Sequence, residues 1–399
     1  MTAAGHVAKP ARILFAWDAA AFGGHDVTAL VALERLAGIP GLAVGALHAG
    51  RNDRLADALD RLARKTGRIE IVRAEAQACV SESIDGLLRG PRTRSLEEAI
   101  VRWRPDWVVD VQGFVTLGLC VLGACRAARI PAVSYLPMTH RIWTLRPSPV
   151  SWLQDAVNRF WYSVPRAFIV TSDRMKQKLV REHGVPAERV AVAEYGPDLA
   201  DLSPANRNAA REKFGFSAEP VVGTIGRVEF RQKGQDFLIR AIARHREELS
   251  GYRFAIAGDG PDLPAAKNLI ARFGVESMIQ CLPWQEDPAD LYSALDVLLI
   301  PSRYEGMPLV MLEAMARRLP VLASNVDGMA DVLPPECLFR SGDAQDLVER
   351  LRAIRDRATP ETLERLAGLV ETRFNAQTFA DRFAGEILRL SESGGTPPP

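Results

Sequence analysis

The sequence predicts an α/β protein in which two doubly wound parallel-sheet domains face a cleft and a C-terminal helix crosses back. Its 399 residues exceed what one ordinary core holds. Short β-branched runs alternate with helical patterns from end to end. Each half also opens with a strand, a glycine turn and a helix. We divide the chain into domains 1–197 and 198–373, a crossover helix 374–390 and a disordered tail 391–399.

Continuous apolar runs mark the strands, as expected for parallel strands that are buried on both faces. In the first half the predicted strands are residues 13–17, 42–47, 69–72, 107–111, 132–136, 168–171 and 190–193. In the second half they are residues 221–224, 253–257, 278–281, 297–300, 320–323 and 337–339. The break between the halves falls at residues 195–204, where Gly196, Pro197 and Pro204 punctuate a polar stretch.

The strand–turn–helix segment at the start of each half indicates where ligands bind. The first strand leads to Gly23-Gly24 and a helix from about Asp26. The first strand of the second half leads to Gly226-Arg227 and a helix from about Gln235. Ligands of doubly wound sheets bind beyond the carboxyl ends of the strands. We therefore expect functional residues on these two turns, facing the cleft between the domains.

Large apolar side chains at helical spacing predict the last helix, with Asn375 as its N-cap. These side chains are Phe374, Phe379, Phe383, Ile387 and Leu390. The residues from Ser391 onwards are rich in Ser, Gly and Pro, a composition that predicts disorder.

The composition is that of a soluble globular protein, with 47% hydrophobic and 25% charged residues. No uncharged apolar run reaches the ~18 residues that a transmembrane helix needs. The N-terminus lacks an apolar segment of signal-peptide length, so we expect a cytoplasmic protein. The five cysteines are scattered and odd in number, which favours reduced core residues over disulfides or a metal site.

Charge is unevenly distributed along the chain. Up to Asp198 there are 26 Lys and Arg against 20 Asp and Glu, and beyond it 24 against 29. Residues 141–166 interleave arginines with aromatic residues and hold three of the seven tryptophans. Peripheral contact with the inner face of a membrane or a lipid-linked acceptor would use this composition, but partial core packing of the tryptophan and phenylalanine side chains is the favoured interpretation. No domain is basic enough to favour nucleic acid.

Residues 301–315 (PSRYEGMPLVMLEAM) place Glu305 and Glu313 in an otherwise apolar run. We predict a turn after a buried strand and then a helix from Pro308 to about Arg317. Inside such a helix, Glu313 requires a polar partner. The helix N-terminus would bind a phosphate, and Glu313 lies about 7.5 Å further along the axis, where a ribose would follow a diphosphate. Glu305 would face the group at the other end, which indicates a nucleotide-sugar site.

This pair resembles the E-x7-E motif of family 4 of the retaining glycosyltransferases, which have two Rossmann-like domains, the GT-B fold. Four further segments carry the resemblance. They are Gly226-Arg227 with Lys233-Gly234, the glycine-rich turn at 257–263, the aspartate, apolar strand and Pro-Ser at 296–302, and Gly23-Gly24 with Thr139-His140. The segment from 221 to 333 is the specific part of the match.

Three segments depart from the family pattern. Arg317-Arg318-Leu319 replaces a cysteine-glycine, Asp327-Gly328 opens a motif that usually has two glycines and ends here in Asp331, and 195–198 differs at the hinge. We expect these departures to affect helix ends and the hinge rather than the diphosphate site. They put the identity of the donor in question, not the type of reaction.

The resemblance implies transfer of a hexosyl-type unit, with retention, from a nucleotide-diphosphate sugar to a glycan, glycolipid or lipid-linked acceptor in bacterial polysaccharide or glycoconjugate biosynthesis. The implied catalytic residues are Glu305, Arg227, Lys233 and His140. The implied donor-binding residues are Gly24, Arg227, Lys233, Glu305, Gly306, Met307, Pro308, Leu309 and Glu313. The chain has no Asp-x-Asp pair, so we expect neither a metal nor another cofactor. Basic side chains and the helix end would neutralise the leaving group.

Alternative functions remain open on the same fold. A nucleotide-sugar epimerase or a glycogen-synthase-like relative would use a similar donor site. A non-catalytic subunit that binds a sugar nucleotide and supports a partner transferase is a third alternative. A nicotinamide dehydrogenase is disfavoured because neither half has the G-x-G-x-x-G turn.

Overall fold

The computed structural model describes residues 11–20, 22–50, 52–202 and 206–392. Within these, the chain divides into two compact units. The first unit comprises the described residues up to Tyr195 together with those from Gln377, and the second runs from Gly196 to Ala376. Each unit is a parallel sheet with helices between its strands, as predicted.

The first unit has seven strands in the order β3-β2-β1-β4-β5-β6-β7. The strands are β1 (Ala11–Trp17), β2 (Leu42–His48), β3 (Ile69–Arg73), β4 (Trp107–Val111), β5 (Ala132–Tyr135), β6 (Ala167–Val170) and β7 (Val190–Val192). The helices are α1 (Gly24–Ala37), α2 (Asp53–Thr66), α3 (Glu82–Leu88), α4 (Pro91–Trp103), α5 (Leu119–Ala128), α6 (Ile142–Leu145), α7 (Pro149–Trp161) and α8 (Asp173–His183).

The second unit has six strands in the order β10-β9-β8-β11-β12-β13. The strands are β8 (Val221–Ile225), β9 (Arg253–Ala257), β10 (Ile279–Leu282), β11 (Val297–Ile300), β12 (Val321–Ser324) and β13 (Leu338–Phe339). The helices are α9 (Arg207–Phe214), α10 (Phe230–Lys233), α11 (Gln235–Arg244), α12 (Leu263–Phe273), α13 (Ala289–Ala294), α14 (Leu309–Ala316), α15 (Asp327–Val332), α16 (Ala344–Arg357) and α17 (Pro360–Thr372).

The inner strands of both sheets are buried on their two faces, whereas edge strands such as β3 and β10 are partly exposed. The central strand β1 is buried from Ile13 to Trp17, and β11 is buried along its whole length. Helices cover the faces of such a sheet, so apolar residues at successive positions all find a hydrophobic environment. This is why each predicted strand is present in the structure, although some ends differ by one or two residues.

The last helix, α18 (Ala376–Glu392), completes the core of the first unit. The ring of Phe383 lies 5.9 Å from Phe15 and 5.5 Å from Tyr135, measured between ring centroids. Phe379 also packs on Tyr135. The helix includes Ser391 and Glu392, which we expected in the disordered tail, and residues 393–399 lie outside the described part.

The two chain crossings between the units lie side by side. The carbonyl of Pro197 accepts a hydrogen bond from the backbone N–H of Ala376, at 3.0 Å. A Cβ atom on Gly196 would lie only 1.5 Å from the carbonyl oxygen of Phe374. Glycine is therefore required at position 196 by close backbone approach, which explains the predicted break there.

Candidate functional site

The sheet of the second unit reverses its strand order between β8 and β11. Chain connections leave β8 and β11 in opposite directions, which creates a crevice beyond their carboxyl ends. The turn after β8 carries Arg227, the short helix α10 that follows ends at Lys233, and the turn after β11 carries Glu305. The fold therefore brings together three of the predicted site residues from distant parts of the sequence.

Glycines let the turn after β8 pack directly on the turn after β9. Gly226 and Gly258 have φ angles of 136° and 137°, a region that side chains disfavour. A Cβ atom on Gly258 would lie 2.2 Å from the carbonyl oxygen of Gly226. The N–H of Val228 donates to the carbonyl of Asp259 at 2.9 Å. The glycine-rich turn thus fixes the backbone that carries Arg227.

Glu305 is buried and held by three donors. Its Oε1 accepts from the Lys233 ammonium at 2.7 Å and from the Ser302 hydroxyl at 2.8 Å, and its Oε2 accepts from Gln232 at 3.3 Å. A carboxylate offers about four lone-pair sites, so roughly one remains for a further hydroxyl. The geometry thus orients Glu305 and leaves it able to accept from a substrate.

Arg227 is half exposed and pairs with Glu229 at 2.5 Å. Its guanidinium also lies 3.5 Å from the amide oxygen of Gln232, the residue that contacts Glu305. Arg227 and Lys233 therefore both contact carboxylates of the protein itself. An anionic ligand would have to share or replace these partners.

The N-terminus of α14 lies next to Glu305 in the chain. Pro308 is the N-cap, one residue before the helix begins at Leu309, and the helix ends at Ala316. The first N–H groups of a helix lack intrahelical acceptors and favour an anion. Gly306, Met307 and Pro308 are buried, whereas Leu309 is partly exposed. The helix end is thus accessible at its first residue.

Glu313, for which we expected a ribose as the polar partner, also has a partner within the protein. The hydroxyl of Tyr292 on α13 donates to Glu313 Oε2. The Arg317 guanidinium lies 4.8 Å from the centre of the Tyr292 ring. Burial raises the pKa of Glu313 above its usual value, and the Tyr292 hydrogen bond and the Arg317 charge oppose that rise.

Two departures from the family pattern contact the site, which corrects our expectation. Asp327 replaces a glycine and adopts a φ of 45°, the left-handed conformation that glycine favours. Its Oδ2 accepts from the backbone N–H of Glu305 at 2.9 Å. Arg317, in the second departure, packs on the partner of Glu313. Both glutamates therefore have neighbouring residues that depart from the family pattern.

Family models match both halves of the chain. The model described as Glycosyltransferase Family 4 matches residues 46–201, and the model described as Glycosyl transferases group 1 matches residues 219–356. The chain is 30% identical over 237 residues to an alpha-D-kanosaminyltransferase of Streptomyces kanamyceticus, covering 55% of this chain and 59% of the relative. Each half of the chain is therefore a glycosyltransferase domain of the kind that its family model describes.

A second curated relative of this glycosyltransferase is a D-inositol 3-phosphate glycosyltransferase of Mycobacteroides abscessus. The two are 36% identical over 172 residues, or 41% of this chain and 38% of the relative. The matched segment therefore spans about half the length of these two relatives, at 59% and 38%.

Solved structures share the fold of the glycosyltransferase. Anabaena HepE, crystallised with UDP and glucose, matches 94% of this chain and 99% of its own, with a TM-score of 0.77 and 21% identity. WaaG, a glycosyltransferase involved in lipopolysaccharide biosynthesis, has a TM-score of 0.71 and 17% identity over 94% of this chain and 99% of its own. These matches extend over both units and establish the GT-B fold.

Two further predicted residues of the glycosyltransferase lie in the first unit. Gly24 is the first residue of α1, two residues earlier than we expected, and the neighbouring His25 ring packs against the backbone of Gly113 beyond β4. His140 lies buried beyond β5. Both residues thus follow strand ends of the first sheet.

A buried charged cluster in the first unit has no counterpart in our predictions. Arg92 donates to Asp18 at 2.8 Å and lies 3.7 Å from Glu82. Burial and the Asp18 charge raise the pKa of Glu82 to about 7. Asp18, Glu82 and Cys120 place potential ligand atoms within 4.8 Å of one another, but the Arg92 guanidinium already pairs with both acids. We therefore assign this cluster a structural role.

Proposed function

We propose that this chain is a retaining glycosyltransferase that moves a hexosyl-type unit from a nucleotide-diphosphate sugar to a glycan, glycolipid or lipid-linked acceptor in bacterial polysaccharide or glycoconjugate biosynthesis. The observation that carries the proposal is the Lys233–Glu305 ion pair beside Arg227 at the crevice between β8 and β11. Arg227 and Lys233 would supply cations for a diphosphate, and Glu305, four residues before α14 begins, would supply a carboxylate for sugar hydroxyls.

Cleavage of the bond between sugar and diphosphate leaves negative charge on the leaving group. Arg227 would bind phosphate oxygens through its planar fork, and Lys233 would act as a point charge. Preorganised charges of this kind stabilise the transition state most where water is excluded. As the diphosphate departs, Lys233 would neutralise it while Glu305 stays oriented by Ser302 and Gln232.

The two glutamates have different proposed partners. Glu305 would accept from hydroxyls of the transferred sugar, using the lone-pair site that its three protein donors leave open. Glu313 would accept from the ribose hydroxyls, in an orientation fixed by Tyr292. The donor diphosphate would lie between them at Gly306, Met307, Pro308 and Leu309, with Gly24 and His140 contributing from the first unit.

Retention would follow from attack on the face that the diphosphate leaves, through an oxocarbenium-like state. Glu305 would not be the nucleophile, because same-face attack of this kind needs no fixed nucleophile on the enzyme. The known binding of UDP and glucose by HepE supports a nucleotide-sugar donor here. A lipid-linked acceptor would bring the enzyme to the inner face of a membrane as a peripheral protein.

The donor site can be tested by thermal shift with UDP-, GDP-, ADP- and dTDP-sugars. A ligand at a hundred times its Kd stabilises the folded state by about 2.7 kcal/mol, so the cognate donor should raise the melting temperature by several degrees. Arg227→Ala and Glu313→Ala should each abolish most of this shift. Arg231→Ala, an exposed arginine on the adjacent α10, is the matched control and should retain it.

The same samples test the reaction. With the stabilising donor and a panel of glycan and lipid-linked acceptors, the wild-type protein should form a glycosylated product whose anomeric configuration equals that of the donor. An inverted product would contradict retention. Stability unchanged by all four donors, or normal turnover in both alanine variants, would refute the assigned donor site.

A further inference from the structure

Helix α7 has its polar side inward and its apolar side outward. The residues that it buries include Ser151, Asp155 and Asn158. Large apolar residues point to solvent instead, with Trp152 at 65% and Leu153 at 58% exposed. Val157 and Phe160 continue this outward side. A surface helix of a globular protein normally shows the opposite arrangement.

Specific contacts fix α7 in this orientation. Both oxygens of the buried Asp155 carboxylate accept backbone N–H groups at the start of α6, from Ile142 and Trp143, each at 2.9 Å. At the far end of the helix, the Trp161 ring is fully buried and its Nε1 donates to the Ser83 hydroxyl at 2.8 Å. The hydrogen bonds of Asp155 and Trp161 set the rotation of α7 about its axis, and this rotation leaves Trp152 exposed to solvent.

Helix α3 has the same arrangement. Its Asp85 is buried and accepts from the backbone and the hydroxyl of Thr93, at 2.8 Å and 2.7 Å. Ile84, Leu87 and Leu88 are exposed, the last of them at 72%. Two separate segments thus present apolar residues to solvent while they bury carboxylates.

The two helices form one continuous surface. A Cβ atom on Gly86 of α3 would lie 2.7 Å from the Trp161 ring at the end of α7, so the helices are in close contact. Arg126 bridges them, because its guanidinium lies 5.3 Å from the Phe160 ring centre and donates to the carbonyl of Leu87 at 3.3 Å. We call this surface, formed by the outward residues of α3 and α7, the α3–α7 face.

The charges of residues 141–166 are almost all positive, whereas α3 carries the two acids Glu82 and Asp85. Residues 141–166 contain four arginines, Arg141, Arg146, Arg159 and Arg166. The one acid among these residues is Asp155, which is buried and bonded to the start of α6. An apolar patch with tryptophan and a cationic border matches an anionic lipid surface, where rings sit at the headgroup level and arginines meet lipid phosphates.

We propose that the α3–α7 face docks on an anionic lipid bilayer, with Trp152, Leu153 and Leu88 inserted at the interface and the arginines on lipid headgroups. This rests on the proposed function only in that a lipid-linked acceptor would lie in the same membrane. Lipid binding and sugar transfer are measured separately, so each can fail without the other.

The experiment is co-sedimentation of the full chain with sucrose-loaded vesicles of phosphatidylcholine, alone or mixed with phosphatidylglycerol. The wild-type protein should bind the mixed vesicles, and salt should weaken this binding. The double variant Trp152→Gln, Leu153→Gln should lower the partition coefficient about tenfold or more, because less apolar surface enters the interface. Trp284→Gln, at an exposed tryptophan of the second unit, is the matched control and should bind like the wild type.

A second readout locates the contact. Brominated phosphatidylcholine should quench tryptophan fluorescence in the wild type and in Trp284→Gln, and much less in the double variant. Should the double variant unfold, Leu87→Gln with Leu88→Gln tests the same face from α3. Transfer to a water-soluble acceptor should be unchanged in all these variants.

Three results would overturn the proposal. The first is absence of binding to the mixed vesicles, and the second is equal binding by the double variant. The third is a dimer in analytical ultracentrifugation that becomes monomeric in the double variant while vesicles remain unbound, which would make the α3–α7 face an interface between protein chains.

Discussion

The strand order reverses between β8 and β11 in the second unit and between β1 and β4 in the first. The charged side chains at these two reversals differ in how far solvent reaches them. In the second, Arg227 and Lys233 have side chains that are 49% and 22% exposed. In the first, Asp18 follows β1 and pairs with Arg92, and their side chains are 0% and 4% exposed. One topology therefore supports an accessible ionic site and an enclosed one.

The difference teaches how burial decides what a charge can do. An accessible cation can exchange a protein carboxylate for a ligand, because solvent screens the intermediate states. An enclosed pair cannot separate without a large desolvation cost, so it stabilises one conformation instead. Asp110 on β4 extends the enclosed cluster, and burial raises its carboxyl pKa well above the usual range.

The largest expected effect concerns the enclosed cluster. Arg92→Met leaves Asp18 and Glu82 buried without their cation, which should lower the free energy of unfolding by about 3–5 kcal/mol. Urea unfolding followed by tryptophan fluorescence measures this well, because six of the seven tryptophans precede Tyr195. Arg89→Met, at an exposed arginine paired with Glu97, is the control and should cost at most about 1 kcal/mol. Equal costs would refute the comparison.

The accessible site should respond in activity more than in stability. Lys233→Met removes the cation that meets both Glu305 and the proposed diphosphate, and kcat should fall about 10²–10³-fold, or 2.7–4 kcal/mol. The control is Lys213→Met, which removes an exposed lysine paired with Asp290 in the same unit. If Lys233→Met kept full turnover with any transferable donor, the proposed role of Lys233 would be wrong.

The smallest expected effect is a pH dependence from Glu82. Its pKa is raised to about 7 in the folded state, so the folded protein binds more protons than the unfolded one between the usual value of 4.5 and 7. Stability should therefore fall as pH rises through this window, by up to about 1.4 kcal/mol per pH unit. Glu82→Gln should flatten the dependence of the urea midpoint on pH. An unchanged slope would show that Glu82 does not titrate there.

Much of the fold was predictable because parallel strands carry an uninterrupted apolar signal. The runs that became β1 and β11 needed no long-range information to be recognised. Helix α1 begins at Gly24, two residues before the predicted start. Its N-cap is Gly23, which has no side chain that could mark the start of a helix in the sequence. The last helix continues to Glu392, beyond the point where composition suggested disorder.

The site was predictable in part. Motif spacing predicts Glu305, Arg227 and Lys233 as site residues, but the ion pair of Lys233 with Glu305 spans 72 positions and leaves no local pattern. Tyr292, the partner of Glu313, lies on another helix and has no signal of its own. Asp327 is recognisable in the sequence, because it replaces a glycine of the family pattern. We expected this replacement to affect a helix end, but its carboxylate accepts from the backbone N–H of Glu305.

The aromatic and arginine residues at 141–166 show a further limit. Spacing alone did not separate rings that enter the core, such as Trp161 and Tyr162, from rings that stay outside, such as Trp152. The helical phase of α7 depends on where Asp155 bonds, and that bond was not visible in the sequence. Core packing therefore holds for Trp161 and Tyr162, whereas membrane contact through Trp152 stays a prediction.

The position of α18 has a consequence for biosynthesis. The rings of Phe379 and Phe383 belong to the core around Phe15 and Tyr135, yet they follow the whole second unit in sequence. The second unit is continuous in sequence, so all its strands are synthesised before α18. The first-made half of the chain should consequently be the last to reach its native state, and a premature stop before Gln377 should damage the half of the molecule most distant from it in sequence.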